Sequence, residues 1–168
     1  PYSMARVLWD SQYLYLNLYA ADQDIAAPAT ATDAPLWLHD AFDVRVQSGD
    51  PEAPTFALQF APSGIISDAR IDRAGKTDTS WQSGARVAID VDGSLNQAAG
   101  EDDEEWLVFA ALPWTNLGIV PKPGLRLQIF LGRCDTLRSG ERRCGHWGGR
   151  ASAPEGVFLL GAVTPTAN

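Results

Sequence analysis

Over most of its length this chain alternates apolar and polar residues with a period of two. Leu14, Leu16 and Leu18 interleave with Tyr13, Tyr15, Asn17 and Tyr19. Phe42, Val44 and Val46 interleave with Asp43, Arg45 and Gln47, and the runs Phe56–Phe60 and Val87–Val91 keep the same rule. Leu125, Leu127, Ile129 and Leu131 alternate with Arg126, Gln128 and Phe130. Successive side chains of a strand point to opposite faces, so this period predicts strands with one buried face. Turn clusters divide the runs at Ser48–Pro51, Pro62–Gly64, Asp92–Ser94 and Pro121–Gly124. Short strands with frequent turns predict an all-β fold, an antiparallel β-sandwich of two packed sheets. Helix is expected only as one turn over Pro113–Gly118, entered at Pro and closed by Gly. The Ala-, Thr-, Asp- and Pro-rich segment Ala20–Pro35 reads as a long loop with little core of its own. The tyrosines of the Leu14 strand either pack between the sheets or under a loop, or line a groove.

The 168 residues are expected to form a single domain, 1–168, with no internal repeat. A formal net charge of -8 argues against a general nucleic-acid binder. The run Glu101–Glu105 is expected to be a solvated loop. No apolar stretch approaches the ~20 residues of a membrane helix, so no membrane span is expected. The chain starts at Pro1 and reads as a processed or excised piece of a protein with other domains attached.

Cys134 and Cys144 are the only cysteines, and they flank a polar loop containing Gly140. An even count around such a loop suits a disulfide that clamps it; two reduced thiols are the alternative. The disulfide implies an oxidising, secreted or periplasmic setting. Zinc is disfavoured, because Cys134, Cys144 and His146 lack a fourth ligand.

Two phrases bordered by tryptophan, Ala5–Leu16 and Trp106–Trp114, anchor a wider order of motifs. After the first comes Ala20-Ala21-Asp22-Gln23-Asp24-Ile25, then Leu36-Trp37-Leu38-His39-Asp40-Ala41-Phe42-Asp43-Val44. Phe56–Gly64, Gly93–Trp114, a strand from Gly124 ending in Arg133, and a late Trp147 complete the order. From about Ala5 to Val163 this order resembles the family 9 carbohydrate-binding modules. Asp43 stands where Glu is usual in that pattern, and Phe109 replaces a Glu three residues after Trp106. The closing phrase is reduced to Pro154–Gly161.

The resemblance implies a non-catalytic domain that holds a sugar ring between two tryptophans, with calcium supporting its loops. The matching rings are Trp37 and Trp147. The alternative is that both cap the ends of the core, as Trp9, Trp106 and Trp114 are expected to lie in it. Stacking suits sugar chemistry: a pyranose offers an apolar C–H face and hydroxyls that need fixed partners. Asp43 either pairs with Arg45 on the strand surface or accepts hydroxyls beside Trp37. Arg70, Arg73 or Arg133 would supply a donor, and spacing does not choose among them. Asp22, Asp24 and Asp40 are the candidate calcium ligands, since a hard cation needs several oxygens. The expected partner is a carbohydrate, a mono- or disaccharide or a glycan end.

Other classes find less support. There is no G-x-S-x-G, no H-E-x-x-H and no Gly-rich phosphate loop. A haem-carrying domain would have Met4 and two histidines to draw on. A structural or protein-interaction domain of a larger secreted protein remains the alternative to sugar binding.

Overall fold

The computed structural model describes residues 2–28, 31, 34–97, 103–137, 139–147 and 156–161. It is an antiparallel β-sandwich. One sheet is built from β1 (Ser3–Trp9), β2 (Tyr13–Ala21), β7 (Arg86–Asp92) and β8 (Glu105–Pro113), in the order β1-β2-β8-β7. The other contains β3 (Ala41–Ser48), β4 (Thr55–Phe60), β5 (Ile66–Ile71), β6 (Thr77–Asp78), β9 (Arg126–Thr136) and β10 (Arg142–Trp147). Its order is β10-β9-β3-β4-β5-β6, and β11 (Gly156–Leu159) pairs with the first part of β9 on the same side as β10.

The alternation fixes which face is buried. Leu14, Leu16 and Leu18 meet Val44, Val46, Leu58, Leu127 and Ile129 in one core, with the Phe42 and Trp106 rings 4.7 Å apart. The tyrosines of β2 therefore lie on the outer face of their sheet rather than between the sheets. The turn at Pro113 is the short helix α1 (Trp114–Leu117), closed by Gly118 in the left-handed region (φ 62°). Trp114 is buried there and donates Nε1–H to the Asp10 carbonyl (2.9 Å).

Two loop expectations change. The stretch after β2 carries core of its own: Ile25, Ala27 and Leu36 are buried. It is tied down by remote acceptors, with Ile25 N–H donating to Asp103 (3.1 Å) and Ala27 N–H to Asn96 (2.7 Å). The acidic run is likewise not all solvated. Asp103 is buried and also accepts from Ser94 N–H (2.7 Å), while Glu105 opens β8 and accepts the Tyr19 hydroxyl. Burial of a carboxylate is tolerated when backbone N–H groups satisfy it.

Candidate functional site

The tryptophans sort by environment. Trp106 and Trp114 are buried, Trp9 and Trp81 pack half-buried against the core, and Trp37 and Trp147 are 47% and 53% exposed. Trp37 sits in a 3-10 turn, Leu36–Leu38, whose first residue is buried as an anchor. Arg142 at the start of β10 donates to the Trp37 carbonyl (2.8 Å), and Thr136 Oγ1 donates to the Leu38 carbonyl (3.4 Å). Trp147 ends β10 opposite Leu131. Its ring packs against Phe158 (centroids 5.2 Å) and over Gly156, where a Cβ would fall 2.2 Å from the indole. At the usual strand rise, Arg142 and Trp147 lie about 16 Å apart along β10. Among the described residues no ring contact joins Trp37 to Trp147.

The disulfide between Cys134 and Cys144 links a directly opposed pair on β9 and β10. It staples the edge strand that connects the two exposed indoles. On the outer face of this sheet, Asp43, Gly132 and His146 form one cross-strand row. Arg45 pairs with Asp43 (3.1 Å) and lies over the Phe130 ring, which also neighbours His146 (5.9 Å). Gly132 leaves room for Phe130, whose ring would lie 2.8 Å from a Cβ there. Burial raises the Asp43 carboxyl above its ordinary pKa, against the lowering effect of Arg45. Gln59, the other neighbour of Asp43 in the row, has a buried Oε1 without a hydrogen-bond partner.

The arginines fall elsewhere. Arg70 is opposite Phe56, so it faces the inner side of the sheet, away from Asp43, and pairs with Asp78 (3.7 Å). Arg73 pairs with Glu52. Arg133 is buried, and it lines the same cleft as Trp147. It donates to Asp22 (2.9 Å), the Ala21 carbonyl (2.9 Å) and Ser3 Oγ (3.2 Å).

Around Arg133 lies a group that the sequence reading captured only in part. Asp22, Asp40 and Asp135 are all buried, with carboxylate oxygens within 4.8 Å of one another. Asp24, expected among the ligands, is outside this group and Asp135 takes its place. The signal for Asp135 was present: Leu127, Ile129, Leu131, Arg133 and Asp135 share the inner face of β9. Asp40 accepts from the N–H groups of Ala26 and Thr136. Burial pushes its carboxyl up to about 7, with Asp22 and Asp135 adding to the rise and the two N–H groups opposing it. Asp135 is raised by burial first and by Asp22 second. One guanidinium cannot neutralise three buried carboxylates, so the cluster must take up protons or a cation. An all-oxygen donor set with excess negative charge fits a hard divalent cation.

A cleft of about 600 Å³ opens between the edge of β1 and the β10–β11 edge. Ser3, Met4 and Ala5 form one wall, and Leu131, Trp147 and Phe158 the other.

The fold is shared with solved carbohydrate-binding modules. The fold is that of a Bacteroides uniformis protein described as carbohydrate-binding (TM-score 0.70, 13% identity, covering 94% of this chain and 78% of that one). It is also that of a family 9 carbohydrate-binding module from Caldicellulosiruptor kristjanssonii. Its complex with glucose superposes with TM-score 0.65 at 11% identity, covering 99% of this chain and 80% of that one. Its complex with cellotriose gives 0.60 at 12% identity, with the same coverage. No protein-family model and no curated protein matches the sequence. Among the described residues, no helix is long and apolar enough to cross a membrane.

Proposed function

We propose that this chain is a non-catalytic carbohydrate-binding module of a secreted or periplasmic protein. The observation that carries the reading is the pair of exposed indoles, Trp37 and Trp147, held at the two ends of a disulfide-stapled edge strand. An exposed tryptophan forgoes roughly 2–3 kcal/mol of burial energy, which a stacked sugar face would recover. Asp43, Arg45 and His146 lie on the outer face of this sheet, the side opposite to the cleft that Trp147 borders, so a ligand on Trp147 is reached from the cleft and not from Asp43. The likeness to modules solved with glucose and cellotriose supports a glucose-type ligand. The Cys134–Cys144 disulfide supports the oxidising setting.

We assign a calcium ion to Asp22, Asp40 and Asp135, where it would balance the buried charge. Arg133 remains the partner of Asp22 and anchors the start of β1.

The test is isothermal titration of the calcium-loaded protein with glucose, cellobiose and xylobiose. Binding of one of them, weakened at least ~10-fold by Trp37→Ala or Trp147→Ala in a folded protein, is the expected result. No heat and no change in tryptophan emission with any sugar would remove the proposal.

A further inference from the structure

The outer face of the four-stranded sheet carries a second aromatic surface. Register sets Arg6, Asn17, Phe109 and Ala88 in one row across β1, β2, β8 and β7. The next row is Leu8, Tyr15, Ala111 and Arg86. Phe109, at the centre of β8, is 48% exposed, and Leu8, next to the end of the edge strand β1, is 70% exposed. Ala88, Ala111 and Asn17 are small, so they form a floor between the walls of Phe109, Tyr15 and Leu8. The resulting trough encloses about 570 Å³.

Its chemistry is not that of a bare hydrophobic patch. Arg6 and Arg86 stand at diagonally opposite ends, about 16 Å apart by strand rise and spacing. Neither forms an ion pair among the described residues; Arg86 only lies over the Tyr13 ring (5.4 Å). Asn17, on the floor, has a buried Nδ2 with no hydrogen-bond partner. The Tyr15 ring is held in place by its hydroxyl bond to Asp10 (2.8 Å), so this wall loses little entropy on binding. Asp10 is already engaged by that hydroxyl and by the N–H groups of Gln12 and Tyr13. Of the other acids of this face, Asp90 stands opposite Leu107 in the row next to Phe109 and Ala88, and Asp92 and Glu105 lie one row further from the trough.

We propose that this trough binds a carboxylated glycan, an oligosaccharide of uronic-acid units. Phe109 and Tyr15 stack on pyranose C–H faces, and Arg6 and Arg86 each pair with a carboxylate. A neutral glycan leaves both guanidinium groups unmatched, and an acidic peptide lacks the flat apolar faces that the two rings present. The trough is on the opposite sheet from Trp37 and Trp147, so it is separate from the site proposed above.

Titration of tetragalacturonate and of neutral cellotetraose, in low salt with chelator, tests it. The expected result is at least ~10-fold preference for tetragalacturonate, falling as salt is raised. Arg6→Ala/Arg86→Ala and Phe109→Ala should each weaken it ~10-fold or more with an unchanged circular dichroism spectrum, while Trp37→Ala/Trp147→Ala should leave it intact. Failure of tetragalacturonate to bind overturns the proposal, even if cellotetraose binds at the tryptophans. It is overturned equally if the tryptophan variant abolishes uronate binding, or if penta-glutamate binds as tightly. Self-association that Phe109→Ala abolishes would also overturn it, and would make this face a contact between copies. If cellotetraose fails everywhere while tetragalacturonate binds through the arginines, the tryptophan site falls and this one stands.

Discussion

Asp40 couples the stability of this fold to pH with a sign opposite to that of a typical paired carboxylate. It is fully buried, and burial pushes its carboxyl from 3.8 to about 7. The folded protein therefore keeps a proton that the unfolded chain has already released. Stability from this group is complete below pH ~4 and is lost as pH rises towards 7. The whole shift is worth about 4 kcal/mol, and more than half of it falls between pH 5.0 and 7.5. Asp43 and Asp135 are raised as well and act in the same direction. Asp10, Asp78 and Glu141 are lowered by hydrogen bonds, so they titrate below this window and do not oppose it. The assay is urea unfolding in chelator at the two pH values. The midpoint should be lower at pH 7.5, and Asp40→Asn should remove most of the difference. Equal or greater stability at pH 7.5, or an undiminished difference in Asp40→Asn, would refute the reasoning. Calcium in excess should invert the trend if the cluster binds it, because the ion favours the ionised carboxylates.

Replacing both Cys134 and Cys144 by Ser should cost about 2–3 kcal/mol, from the entropy of a short closed loop, read as a lower urea midpoint at constant slope. An unchanged midpoint would show that β10 is held by its ladder alone. Gly156→Ala should displace the Trp147 indole, since the new Cβ would overlap it. The expected signature is a shift in tryptophan emission and weaker sugar binding, with less than about 1.5 kcal/mol lost in stability.

The sandwich was legible because each long strand has one buried face, and alternation reports that directly. Leu14–Leu18 and Phe42–Val46 point inward as their spacing requires. The stretch from Asp22 to Asp40 was not legible, because its burial depends on acceptors far along the chain. Asp103 and Asn96 reach it across 78 and 69 residues of sequence. Motif order singles out Trp37 and Trp147, and both are exposed. Spacing does not choose among the arginines for a different reason. Whether Arg70 shares a face with Asp43 depends on the register of β5 on β4 and of β4 on β3. Register is a property of pairing, and a one-residue difference moves a side chain to the other face.

The carboxylate cluster and the exposed indole are mechanically connected. Asp40 lies two residues beyond the turn that presents Trp37, and its oxygens hold the N–H groups of Ala26 and Thr136 on either side. Thr136 in turn contacts the Leu38 carbonyl, and Arg142 the Trp37 carbonyl. Arg133 ties the same cluster to the first strand through Ser3. Whatever neutralises the buried acids, proton or cation, therefore also fixes the turn that aims Trp37. This gives a physical reason for placing net negative charge inside a sandwich whose apolar core is otherwise complete. Left unneutralised, three acids around one guanidinium would push the loops apart, and the turn carrying Trp37 would lose its support first.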